Sequence, residues 1–157
     1  MSVSKERRII FFFCLISHKL LIGDKMKDDI VLNPFTMSLE LENEIMIEKG
    51  NPIPFNLIEI DKLHEITYDS DKQCFHIHHP GDYYISYQMK TEKRYRMDVK
   101  GEVKYFEADL FPVEKMSHGS GIITTTKNDI MFYITCLQHD IFFQKGKQAT
   151  ITIFKVR

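Results

Sequence analysis

The stretch Cys74-Phe75-His76-Ile77-His78-His79-Pro80-Gly81-Asp82 gathers the side chains best suited to holding a metal ion or moving a proton. Successive side chains of a β-strand point to opposite sides, so His76 and His78 share one face and can offer two imidazoles to one ion. Asp82 would add a carboxylate. Zinc is held by three or four protein ligands, and two histidines alone fall short. His118 or His139 would have to supply a third imidazole, and no supporting motif surrounds either. The sequence therefore assigns no metal and no cofactor, and keeps His76, His78 and Asp82 as candidates only.

Other chemistry has less support. Asp69 and Asp71 could offer hard oxygens to Ca²⁺, but that ion takes six to eight ligands. A turn explains the pair better, because Asp is a favoured turn former. Lys90, Lys93, Arg94, Arg96, Lys100 and Lys104, with Tyr95 among them, make the one positive stretch. Lys93, Arg94 and Arg96 are its candidate ligand patch for an anionic glycan or phosphate. Against that stands a solvated hairpin, since Glu92, Asp98 and Glu102 dilute the charge. No Gly-x-Ser-x-Gly, phosphate loop, His-Glu-x-x-His or Cys-His pairing is present, so no catalytic residue is assigned and an enzyme is not expected. Cys14, Cys74 and Cys136 lack Cys-x-x-Cys spacing and read as buried thiols, with a Cys74 to Cys136 bridge left open.

The elements that would carry these residues are strands. Twelve Phe and seven Tyr with no Trp, and many Ile, suit pleated, half-buried surfaces. The 157 residues fit one domain, and 43% hydrophobic with 27% charged residues is globular composition. A net charge of −1 gives no long-range attraction for nucleic acid, which is excluded as a partner. After Asp29 the chain alternates in short runs separated by turn residues. Strands are predicted at 38–47, 56–60, 65–68, 75–78, 83–89, 100–106, 108–113, 122–126, 129–137, 141–144 and 149–156. The Ser117-His118-Gly119-Ser120-Gly121 segment reads as a loop, and the last two strands as a hairpin through Lys145-Gly146-Lys147. About ten antiparallel strands at this spacing point to a sandwich or barrel.

Residues 1–28 read as an N-terminal extension. Lys5, Arg7 and Arg8 precede the apolar run Ile9 to Ile16, in the order of a leader. His18 and Lys19 interrupt it, no small-residue cleavage site follows, and the run is far short of the ~20 residues that span a bilayer. A leader, a short anchor, or a segment upstream of a start at Met26 all remain open, and no transmembrane span is expected.

Tyr68, Phe75, Gly81, Tyr83, Ile85 and Tyr87 stand at a spacing similar to that of the complement component 1q domain, within the tumour necrosis factor-like jelly-roll superfamily. Ile53-Pro54-Phe55-Asn56 and Ala149-Thr150-Ile151-Thr152-Ile153 resemble the flanks of bacterial members. Among families, the C-terminal domain of collagen-like exosporium glycoproteins is the closest resemblance, over residues 36–157. Leu63 stands where the pattern prefers Asn or Asp, Ile85 where it has Phe. No Gly-X-Y repeat precedes the domain, so the resemblance carries the domain and not a stalk.

The resemblance implies a ten-stranded antiparallel jelly-roll sandwich that forms a homotrimer. It implies a non-catalytic structural or binding module of a bacterial cell or spore surface, with a surface glycan or protein as partner. An extracellular or spore-surface location follows, with the mother-cell cytoplasm left open. Phe75, Tyr83, Ile85, Tyr87, Phe132, Ile134, Ile151 and Ile153 are expected in the trimer interface or the core. Two alternatives stand beside this reading. One is a cupin-like metal-dependent enzyme using His76 and His78, although the later Glu and the Gly-rich lead of cupins are missing. The other is a secreted cytokine-like ligand, which rests on fold analogy alone.

Overall fold

The structure is a computed structural model that describes residues 33–91, 95–110 and 116–156, with the backbone alone for 106–110. The extension at 1–28, with the leader or anchor expected there, lies outside the described residues, as do Cys14, Lys93 and Arg94. The alternating runs form β1 (Phe35–Leu41), β2 (Ile45–Ile47), β3 (Leu57–Asp61), β4 (Ile66–Asp69), β5 (Cys74–Ile77) and β6 (Gly81–Lys90). They continue as β7 (Asp98–Gly101), β8 (Lys104–Leu110), β9 (Met116–Thr125), β10 (Ile130–Thr135), β11 (Ile141–Phe143) and β12 (Gly146–Lys155).

One sheet has six strands in the order β3-β1-β12-β6-β9-β8, and the other has four in the order β4-β5-β10-β7. All their pairings are antiparallel. The two sheets hold ten strands between them, the antiparallel jelly-roll sandwich expected from the sequence, and a β11-β2 ribbon brings the described strands to twelve.

Alternation decides what faces inward. In β6, Tyr83, Ile85, Tyr87 and Met89 are buried, while Tyr84, Ser86 and Gln88 between them are not. Their partners on β12, Ile151 and Ile153, are buried beside them. From the other sheet come Ile66, Phe75, Ile77, Ile130, Phe132 and Ile134. Phe75 lies at the centre of the aromatic packing. Its ring stacks on Phe132 at 5.1 Å and lies 4.8 Å from Tyr68, 5.6 Å from Phe55 and 6.4 Å from Phe35. Such offset and edge contacts add about 0.5–1.5 kcal/mol each beyond area burial.

Three local readings are corrected by the structure. Lys100 to Phe106 is two strands, because the chain leaves the four-stranded sheet at Gly101 and enters the other at Lys104. Ser117 to Gly121 is not a loop but the first half of β9. Gly119 and Gly121 lie opposite Tyr87 and Ile85 on the inward face, where a missing side chain leaves room for a large neighbour. Finally, β11 does not form a hairpin with β12. It pairs with β2, while β12 runs between β1 and β6.

Gly101 has φ of 138°, and a Cβ there would lie 2.2 Å from the Met131 carbonyl oxygen and 2.7 Å from Phe132 Cα. Gly50 also has positive φ, 86°, but faces open space. Gly101→Ala is expected to lose about 2–4 kcal/mol of stability and Gly50→Ala about 1 kcal/mol, read from urea midpoints. Equal losses at the two sites would contradict the close approach at Gly101.

Candidate functional site

The polar residues that drew attention in the sequence sit on the outer face of the four-stranded sheet. Ile66 and the rings of Tyr68, Phe75 and Ile77's side chain turn inward, so Thr67, Asp69, Cys74 and His76 turn out. The β4-β5 hairpin sets Thr67 opposite His76 and Asp69 opposite Cys74. Asp69 Oδ1 accepts hydrogen bonds from the backbone N–H groups of Asp71 and Lys72, both at 3.0 Å, and closes the turn. Those bonds hold its carboxyl below the usual carboxylate range. The other oxygen, Oδ2, is turned toward His76, whose Nε2 is 3.8 Å away, and toward Lys72 Nζ at 3.6 Å. Cys74 Sγ lies 3.6 Å from the same Nε2. Burial, reinforced by the Asp69 charge, pushes the Cys74 thiol up. Cys74 and Cys136 are both buried free thiols.

His76 and His78 share a face as expected, with ring centroids 6.5 Å apart, but they do not share a ligand. His78 Nδ1 meets Asp129 Oδ1 at 2.9 Å, and a carboxylate only accepts, so Nδ1 carries the proton. In the neutral ring Nε2 then accepts from the Thr67 hydroxyl at 2.9 Å. Asp82 is on the other sheet, where it accepts from Thr124 Oγ1 at 2.8 Å. Tyr83 beside it points into the core, so Asp82 points away from the histidines. His118 is on β9 of that same sheet, and the His139 ring lies 6.2 Å from the Tyr95 ring. The set His76, His78 and Asp82 is not assembled; Asp69, Cys74 and His76 are the group whose donor atoms converge, all within 4.8 Å of one another among the described residues. Of the basic patch, Arg96 is exposed, while Tyr95 and Met97 on either side are buried.

All eight residues expected in the interface or the core are at most 2% exposed within one chain. The surface left for a neighbour is the other phase of the same strands. On the outer face of the six-stranded sheet Phe154 of β12 lies opposite Tyr84 of β6, which lies opposite Ile122 of β9. The Phe154 and Tyr84 rings stack at 4.9 Å with planes 27° apart, and all three side chains are half-buried. Beside that row runs a row of hydroxyls, Thr36, Thr152, Ser86 and Ser120. The signal for this face was present in the sequence as the residues skipped by the inward alternation.

The chain has a tumour necrosis factor-like jelly-roll fold. Among solved structures it is similar to Eiger TNF from S. frugiperda, with a TM-score of 0.53 at 10% identity, over 80% of this chain and 93% of that one. No family model matches the chain. No curated protein matches it in sequence. No helix among the described residues is long and apolar enough to cross a membrane.

One ion pair ties the two sheets at the corner between β5 and β6. Glu65, just before β4, has Oε2 2.7 Å from Lys155 Nζ of β12 and 2.7 Å from Tyr83 Oη of β6. The Tyr83 proton is shared with the His79 carbonyl, also at 2.7 Å. Burial raises the Glu65 carboxyl, but the bonds from Lys155 and Tyr83 outweigh it, and the group sits below its ordinary value. Its contribution is therefore complete above the unfolded pKa of about 4.3 and is lost as pH falls through the lower folded value. Glu65→Gln should cost about 1–2 kcal/mol in urea unfolding at pH 7, and the difference should shrink steadily as the pH is lowered into the acid range. An equal cost at pH 7 and in the acid range would contradict this account.

Proposed function

We propose that the chain is a non-catalytic binding module that assembles as a homotrimer through the outer face of its six-stranded sheet. The observation that carries this reading is the row Phe154, Tyr84 and Ile122, an apolar strip held in register on a face that the sandwich does not cover. Aromatic side chains at the centre of a patch with a polar border are the usual composition of a protein contact. The serine and threonine row supplies such a border. Full burial of a Phe, Tyr or Ile side chain stabilises by about 1.5–3 kcal/mol, and roughly half remains to be gained here.

The resemblance of the Tyr68 to Tyr87 spacing to exosporium domains supports placement at a bacterial cell or spore surface. The partner would then be a surface glycan or protein, taken by loops at the rim and by the exposed Arg96 together with Lys93 and Arg94, which lie outside the described residues. The eight inward residues act by keeping the sheets in place, so that their outward neighbours are presented at fixed spacing.

Tyr84→Ser combined with Phe154→Ser should weaken self-association by roughly a hundredfold in light scattering behind size exclusion, with the β-sheet circular dichroism unchanged. Tyr133→Ser, on the outer face of the four-stranded sheet, should leave the mass as it was. An oligomer that survives the double substitution, or dissociates with Tyr133→Ser, would contradict the assignment.

A further inference from the structure

The convergence of Asp69, Cys74 and His76 has two chemical readings, a nucleophile with its base or a metal site. A thiol activated through an imidazole oriented by a carboxylate uses both ring nitrogens, one for each partner. Here both contacts go to Nε2, at 3.6 Å from Cys74 Sγ and 3.8 Å from Asp69 Oδ2. The arrangement is three donors around one point. A tetrahedral Zn²⁺ with bonds of about 2.0–2.3 Å separates its ligand atoms by about 3.3–3.6 Å, so those two spacings need a contraction of only a few tenths of an ångström. We propose that Asp69, Cys74 and His76 bind one Zn²⁺ on the outer face of the four-stranded sheet, with the fourth position open to solvent.

The fold makes this set local and prearranged. Cys74 and His76 are alternate residues of β5 and share a face, and Asp69 is the cross-strand partner of Cys74. A turn of four residues is all that separates Asp69 from Cys74 in the chain. The backbone bonds to Asp69 Oδ1 orient the carboxylate so that Oδ2 faces the ring, which is how supporting contacts position a metal ligand. Asp69 and His76 keep 28% and 24% of their side chains exposed, which gives an ion a path from solvent, and Cys74 lies beneath them at 5% exposure. One thiolate, one imidazole and one carboxylate form a set that suits Zn²⁺, whereas Ca²⁺ and Mg²⁺ take oxygen ligands alone. The Lys72 ammonium, 3.6 Å from Oδ2, opposes a cation. Its side chain is 65% exposed and free to swing out.

Co²⁺ is the probe, added to the full purified chain and then displaced with Zn²⁺. One equivalent should give thiolate-to-Co²⁺ charge-transfer absorption that Zn²⁺ abolishes. Cys74→Ser should remove the band. His76→Gln and Asp69→Asn, at partly exposed positions outside the core, should each weaken binding by at least about tenfold, and Lys72→Met should tighten it several-fold. His78→Gln should leave it unchanged. A band that persists in Cys74→Ser, a band insensitive to His76→Gln and Asp69→Asn, or binding without the band would overturn the proposal.

Discussion

The position of Phe75 between the two sheets is the constraint on which the rest depends. Its ring meets Phe132 and Tyr68 from its own sheet, Phe35 from β1 of the other, and Phe55 from the segment that links β2 to β3. With that side chain inward, strict alternation along β5 sends Cys74 and His76 outward, and the hairpin carries Asp69 to them. The same rule on β6 sends Tyr83, Ile85 and Tyr87 in and Tyr84 out. Both candidate surfaces are thus the complement of one core, and a register slip of a single residue would exchange them.

The spacing of Tyr68, Phe75, Gly81, Tyr83, Ile85 and Tyr87 acquires a physical meaning in this light. Tyr68, Phe75, Tyr83, Ile85 and Tyr87 all line the space between the sheets, and Gly81 opens the strand after the corner that carries the chain across. Asn56, at the end of the flanking motif, binds the Glu40 backbone twice, donating from Nδ2 to its carbonyl at 2.7 Å and accepting its N–H at 2.9 Å. A side-chain amide there extends the ladder on the β3 edge of β1 by one step beyond its last backbone pair, Ser38 with Leu57. Such residues maintain the shape of the sandwich.

Sequence periodicity made the sandwich legible because inward alternation in 83–89 and 129–137 follows directly from burial of one face. It did not reveal the break at Gly101, since the run around it alternates without interruption and only the crowding by Met131 and Phe132 shows where the chain must turn. Gly119 and Gly121 carried the signature of a loop, yet they stand within β9 opposite Tyr87 and Ile85 of β6. His76 was legible as a ligand, but its neighbours were not. Asp69 and Asp82 stand at nearly the same distance from it in sequence, on opposite sides, and the pairing of β4 with β5, which is not written in any one strand, is what brings Asp69 to it. The outward row at Phe154, Tyr84 and Ile122 escaped because its members come from three strands distant in the chain.

The claim that the outer aromatic row is a self-contact reduces to the mass of the unmodified chain in solution. Sedimentation equilibrium over a range of micromolar concentrations should give a species of three times 18.6 kDa. A single species of 18.6 kDa throughout that range would contradict it.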